Sequence, residues 1–198
     1  MPELYISTDV ETDGPIPGPH SMLSIGALAL NEDGESLDTF TANLETLSGA
    51  EPDPQTMAWW AGEPEAWAAH RHDLRSPVDA MRGFADWVDQ LAARHRARAV
   101  FVAWPVGFDF SFVYWYLIRF AGRSPFGHSA LDLRSYAMGM LGQGYHQTGQ
   151  RSLPADWLPE ARHTHVALDD AIEQGQLFAN MLRANRARRL TPHVDAGD

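Results

Sequence analysis

The chain has 198 residues, 44% hydrophobic and 21% charged, which suits one globular domain with a full core. Cysteine is absent, so disulfides, thiolate catalysis and zinc–thiolate sites are excluded and a cytoplasmic location is expected. All 15 basic residues are arginine and none precedes Arg71, so residues 1–70 carry −13 of a net charge of −11; a body this acidic excludes nonspecific capture of long nucleic acid unless a few arginines or divalent metal locally reverse the sign.

Leu4–Asp9 reads as a short buried strand, and the Gly/Pro-rich stretch Gly14–Pro19 as a loop. Met22–Leu30 is a second strand, Asn31-Glu32-Asp33-Gly34 a hairpin turn, and the alternating Ser36–Leu44 a third strand antiparallel to the second. The period then changes. Pro54–Ala69 predicts one or two short helices interrupted near Gly62–Pro64, and Pro77–Arg96 a longer one with Met81, Phe84, Ala85, Val88, Leu91 and Ala92 on one face. Ala99–Ala103 is a short strand and Phe110–Phe120 an aromatic-rich helix. Leu131–Met140 suits strand or helix, Gln143–Ser152 is a polar loop, and Ala167–Arg189 is a final helix. Residues 1–189 are expected to form one domain and 190–198 a frayed tail. Three strands in tight succession, then alternating helices and strands, predict an α/β ribonuclease H-like mixed sheet flanked by helices. No Gly-rich phosphate loop follows a strand. No apolar run approaches about 18 residues and no charged-then-apolar leader opens the chain, so no membrane partner or signal peptide is expected.

The first strand runs into Ser7-Thr8-Asp9-Val10-Glu11-Thr12-Asp13-Gly14, three carboxylates in five residues. On extended backbone Asp9 and Glu11 leave the same face, about 6.6–6.8 Å apart along the chain. They are then a solvated strand end or two ligands for one cation. Asp109, after Val106-Gly107-Phe108, is either a helix cap or a third site carboxylate. His165-Val166-Ala167-Leu168-Asp169-Asp170 opens the last helix, where acids also favour the dipole and His165 could be a plain turn residue.

Together, Asp-x-Glu-Thr-x-Gly, Phe-Asp before an aromatic helix, and His-x-Ala-x-x-Asp followed by Ala171 and Gln174 resemble the three motifs of the DEDDh 3′–5′ exonucleases. Ribonuclease T, oligoribonuclease and the proofreading epsilon subunit of DNA polymerase III belong to that superfamily. The related tyrosine variant places Tyr four residues before the last Asp, where this chain has Val166; His165 stands five before Asp170 as the histidine variant requires. Pro105 fills the position where the second motif commonly has Asn, and Trp104-Pro105 is closer to RNase AS-type exoribonucleases, which leans the expectation toward RNA.

The resemblance implies two divalent cations, Mg²⁺ or Mn²⁺, held by Asp9, Glu11, Asp109 and Asp170, with Asp9 bridging them and Asp109 acting through water. Hard cations do select such oxygen donors, and paired ions clamp the attacking and leaving oxygens at phosphorus. It implies His165 as general base and Thr12, Met22 and Phe108 as substrate contacts. It also implies a single-stranded nucleic acid 3′ end as partner, nucleoside 5′-monophosphate as product, and a homodimer. The alternatives are a catalytically idle ribonuclease H-like binding module and a phosphodiesterase of small nucleotides.

Other residues carry two readings each. Trp59, Trp60 and Trp67 are base-stacking platforms, or else core or a dimer surface. The 143–152 loop, with His146 and Arg151, is a substrate-ordered lid or a disordered surface loop. Arg183, Arg186, Arg188 and Arg189 reach phosphates or complement the helix dipole.

Overall fold

The structure, a computed structural model, describes residues 1–160 and 163–190. Five strands form one sheet in the order β3-β2-β1-β4-β5: β1 is Glu3–Thr12, β2 Met22–Leu30, β3 Ser36–Asn43, β4 Arg98–Ala103 and β5 Ala130–Asp132. β1, β2 and β3 are antiparallel neighbours, whereas β4 and β5 join β1 in parallel. The helices are α1 (Pro54–Trp60), α2 (Pro64–Ala69), α3 (Pro77–His95), α4 (Val106–Tyr116), α5 (Leu133–Leu141) and α6 (Ala167–Leu190). This is the mixed, helix-flanked sheet expected from the order of elements.

Strand alternation sorts the core into two layers. Leu4, Ile6, Val10, Ile25 and Phe101 pack with Phe84 and Val88 of α3 and Phe112 of α4. Leu28, Leu30 and Val102 turn to the opposite face and pack with Leu133 and Phe178. β2 is buried along its whole length, as a strand covered on both faces must be. Asp9 and Glu11 alternate with Val10, so they leave β1 on the α6 side.

α6 lies close on that face because its contact stripe is small: Ala167, Ala171, Gly175 and Ala179 recur every fourth residue. A Cβ on Gly26 of β2 would come within 2.2 Å of the Ala167 backbone, and one on Gly175 within 2.7 Å of Leu28. Ser7 Oγ donates to the Ala171 carbonyl at 2.9 Å. The Gln174 side chain accepts from Trp104 N–H at 2.5 Å and donates to Ser7 Oγ at 3.0 Å, tying α6 to β1 and the end of β4.

Several boundaries depart from expectation. β1 extends to Thr12, where a bulge between Glu11 and Thr12 ends its regular pairing. The aromatic helix starts at Val106 and closes with a π-helical turn over Leu117–Ala121, because Pro105 caps it in extended geometry and the punctuation of Pro105 and Gly107 begins the helix instead of delaying it. Leu131–Met140 divides into strand and helix at Asp132, whose carboxylate accepts from Ser135 N–H at 2.7 Å. Of the expected frayed tail, Leu190 ends α6 and residues 191–198 lie outside the described residues. No helix among the described residues is long and apolar enough to cross a membrane.

Candidate metal centre

Three elements bring the acidic motifs together. β1 presents Asp9 and Glu11 on one face, α6 lays Asp170 against them, and α4 turns Asp109 inward from its first turn. Ligand oxygens of Asp9, Glu11 and Asp170 all fall within 4.8 Å of one another. Asp109 stands outside that group, is nearly wholly buried and accepts from Val10 N–H at 3.3 Å. It is no helix cap; Pro105 holds that place.

Crowding and burial act on the protons as Coulomb's law requires. Burial first, then Asp109, Glu11 and Asp170, push Asp9 well above the ordinary carboxylate range. Burial and the charges of Asp170 and Asp109 push Glu11 to about 9. Burial raises Asp109 to about 7, against the Val10 N–H that favours its charged form. Asp170 also rises by burial, although Thr164 N–H and the His163 ring pull it down.

Asp170 supplies a further mark. Its Oδ1 accepts from Thr164 N–H at 2.9 Å and lies 3.1 Å from His163 Nδ1. Its Oδ2 is buried with no hydrogen-bond partner. An orphaned buried oxygen on a carboxylate that is clustered with two more carboxylates is costly without a counter-charge. The all-oxygen donor set suits a hard divalent cation such as Mg²⁺ or Mn²⁺.

His165 lies beside the carboxylates with its backbone in the left-handed region, φ 57°, sparsely populated by residues other than glycine. The edges of Trp59 and His163 flank its ring at centroid distances of 4.8 and 4.5 Å. A cavity of about 280 Å³ opens beside Asp9 and Asp170, bounded also by Trp104, Arg151, His163 and Gln174. This volume accommodates a nucleobase.

The expected substrate contacts divide. Phe108 is 36% exposed, one residue before Asp109. Thr12 is buried, its hydroxyl donating to the Gly14 carbonyl at 2.9 Å and its own carbonyl accepting from Trp60 Nε1 at 2.9 Å. The Met22 side chain is wholly buried in the main core, because β2 is covered on both faces. Asp13, the third carboxylate of the opening run, serves the loop by accepting from Ser21 N–H at 2.5 Å.

Trp60 and Trp67 pack in a small cluster with Leu23 and Ala66, leaving Trp59, 45% exposed, beside His165. The 143–152 segment is built as two 3₁₀ turns around buried Thr148, whose carbonyl accepts from Arg134 Nε at 2.6 Å. Arg151 from this segment reaches the cavity wall, whereas His146 is exposed. Of the terminal arginines, Arg183 bonds Asn180, Arg186 bonds Asp33 and the Glu32 carbonyl, and Arg188 bonds the Met140 carbonyl; the Arg189 side chain lies outside what the structure describes.

Sequence reasoning missed His163 and Glu173. Glu173 follows Asp170 by three residues, hence on the same face of α6, and its carboxylate is 3.5 Å from His163 Nδ1. That spacing was legible; the approach of His163 was not.

Comparisons with known proteins agree on the class. The model of the Rv2179c-like 3′-5′ exoribonuclease domain family matches residues 5–182. The Escherichia coli 3′-5′ DNA exonuclease Cap18 is 34% identical over 188 residues, spanning 95% of this chain and 96% of that protein. Among solved structures, the nuclease domain of 3′hExo, a DEDDh family member bound to rAMP, superposes with a TM-score of 0.67 at 12% identity, covering 91% of this chain and 92% of that one. Pop2p of S. pombe, in a form with Mg²⁺ and Mn²⁺ bound, gives 0.62 at 13% identity, covering 97% and 86%. E. coli Exonuclease I in complex with a dA16 oligonucleotide gives 0.63 at 15% identity; the match covers 94% of this chain and 42% of that one. The fold is that of the ribonuclease H-like DEDDh exonucleases.

Proposed function

Because this chain belongs to the Rv2179c-like 3′-5′ exoribonuclease domain family, we propose that it is a divalent-metal-dependent exonuclease acting on single-stranded or short nucleic acid. It hydrolyses the phosphodiester at the 3′ end and releases a nucleoside 5′-monophosphate. The observation that carries this reading is the convergence of ligand oxygens of Asp9, Glu11 and Asp170 within 4.8 Å of one another, with Asp170 Oδ2 buried and unpartnered.

Asp9, Glu11 and Asp170 would hold one cation, and Asp9 with Asp109 a second. When bound, the ions supply positive charge against the phosphodiester and lower the pKa of water. His165 takes one proton from the attacking water, whose oxygen forms the new bond to phosphorus. The bond from phosphorus to the O3′ of the shortened strand breaks, and that oxygen takes a proton from solvent water and leaves as a hydroxyl. Trp59 and His163 restrain the imidazole, and Arg151 at the cavity wall offers a cation to phosphate. An acidic protein can engage its substrate this way because the contact is short and the charge reversal local.

The reading carries a cytoplasmic location, in keeping with the absence of cysteine, and a homodimer. The Trp104-Pro105 pair leans it toward RNA, as does the family description, whereas the E. coli relative is by name a DNA exonuclease.

Matched 5′-labelled RNA and DNA strands, incubated with Mg²⁺, Mn²⁺ or chelator, test the proposal and identify the sugar. The expected result is a metal-dependent ladder shortening from the 3′ end, abolished in Asp9→Ala and strongly reduced in His165→Ala. Intact strands from folded protein under every metal would overturn it in favour of an idle binding module. Turnover of a dinucleotide alone would assign a small-nucleotide phosphodiesterase.

A further inference from the structure

The histidine general base sits on a strained segment, and something outside that segment holds it. The backbone around it makes two bonds to α6: Thr164 N–H donates to Asp170 Oδ1 at 2.9 Å, and Asp170 N–H donates to the Val166 carbonyl at 3.0 Å. The His165 carbonyl between them takes a different partner, Nε2 of His70 at 2.8 Å. His70 caps the C-terminal end of α2 and is 1% exposed. Its other ring nitrogen, Nδ1, is 3.0 Å from Ser24 Oγ on β2, and Ser24 pairs with Glu11 across the sheet.

The chemistry of these partners fixes the tautomer. A carbonyl only accepts, so His70 Nε2 carries the proton. In the neutral ring Nδ1 is then an acceptor, and Ser24 Oγ donates to it. Burial pushes the His70 imidazole down from its ordinary value, which keeps it neutral. The edge of Trp60 backs the ring at 5.2 Å. The chain Ser24–His70–His165 therefore runs from the strand beside Glu11 to the peptide that orients the base.

We infer that His70 is a positioning residue for His165, holding its left-handed peptide through the Nε2–carbonyl bond so that the imidazole faces the carboxylate cluster. This rests on the exonuclease reading for the role of His165, but the geometry it explains is independent of activity. Orientation alone carries large rate factors, since a displacement near 1 Å can cost about a hundredfold.

His70→Phe keeps an aromatic ring and loses both hydrogen bonds; His70→Gln keeps a donor near the Nε2 position. In the full chain with Mn²⁺, His70→Phe is expected to lower kcat by roughly 10- to 100-fold with KM little changed, and His70→Gln to recover most of the loss. In a His165→Ala background His70→Phe should cause no further loss, because a positioning residue has nothing left to position. The His165 imidazole resonances in NMR should move in His70→Phe and stay near their wild-type places in His70→Gln. Wild-type kcat in His70→Phe, an equal fractional loss in the His165→Ala background, or unmoved His165 resonances would overturn the inference. Inert wild-type protein on both strands would instead sink the exonuclease reading, and the resonances would still decide whether His70 sets the His165 ring.

Discussion

Asp170 concentrates the energetics of the site. It is 2% exposed, one oxygen is held by Thr164 N–H, and the other is buried without a hydrogen-bond partner. Asp169, its neighbour in sequence, is exposed and bonded to the Thr164 hydroxyl, so helix phase separates a structural acid from a site acid. Asp170→Asn keeps an acceptor for Thr164 while removing a buried negative charge. It should raise metal-free stability by about 1 kcal/mol, or ~2–4 °C in a chain of this size, while abolishing both cleavage and the thermal shift on adding Mn²⁺. Thermal unfolding with chelator and with metal checks both halves, and a destabilised metal-free variant would contradict the account.

At the level of elements, the site is an encounter between the end of β1 and the start of α6, and small residues set the distance. Gly26 pairs with Asp9 in the sheet and faces the backbone of Ala167. A methyl group there meets backbone, which cannot rotate away, so Gly26→Ala must push the start of α6 off β2 and carry Asp170 with it. The expected cost is about 1–3 kcal/mol from overpacking, with a much larger proportional loss of metal affinity. Calorimetric Mn²⁺ titration of folded Gly26→Ala measures this; unchanged affinity would mean that α6 does not set the ligand geometry. α1 and α2 brace the other side, through Trp60 Nε1 on the Thr12 carbonyl and His70 on His165.

For the whole molecule, charge links stability to pH and metal. Glu11 rises from an ordinary 4.5 to about 9, and Asp109 from 3.8 to about 7. The folded protein thus binds more protons than the unfolded chain between those limits, and metal-free stability falls as pH rises from about 4 through 9. Bound cation reverses the repulsion, so the thermal shift on adding Mg²⁺ or Mn²⁺ should grow with pH. At a hundred times Kd it reaches about 2.7 kcal/mol, or ~5–10 °C. A metal-free melting temperature that rises with pH across this window would contradict the linkage. The net charge of −11 also predicts shallow salt dependence. With two or three phosphates contacted, the slope of log affinity against log salt for a single strand is about −1.5 to −2, measured by fluorescence anisotropy with the His165→Ala protein, which keeps all four site carboxylates.

By itself the sequence determined the order of strands and helices and the residue types of the site, because hydrophobic period, Gly/Pro punctuation and motif spacing are local properties of the chain. It showed Asp9 and Glu11 on one strand face and His165 five residues before Asp170. The Glu173 spacing was there to be read as well. Tertiary structure decided what those residues face. The burial of Met22 between two covered sheet faces and the meeting of Asp170 with Asp9 and Glu11 depend on contacts distant in sequence. So does the bond from His70 to His165, 95 residues apart. Nothing near His70 marks it, since a buried histidine reads the same in sequence whether it fills a core or holds a catalytic loop. The orphaned oxygen of Asp170 has the same origin: it exists only where β1 and α6 close around it.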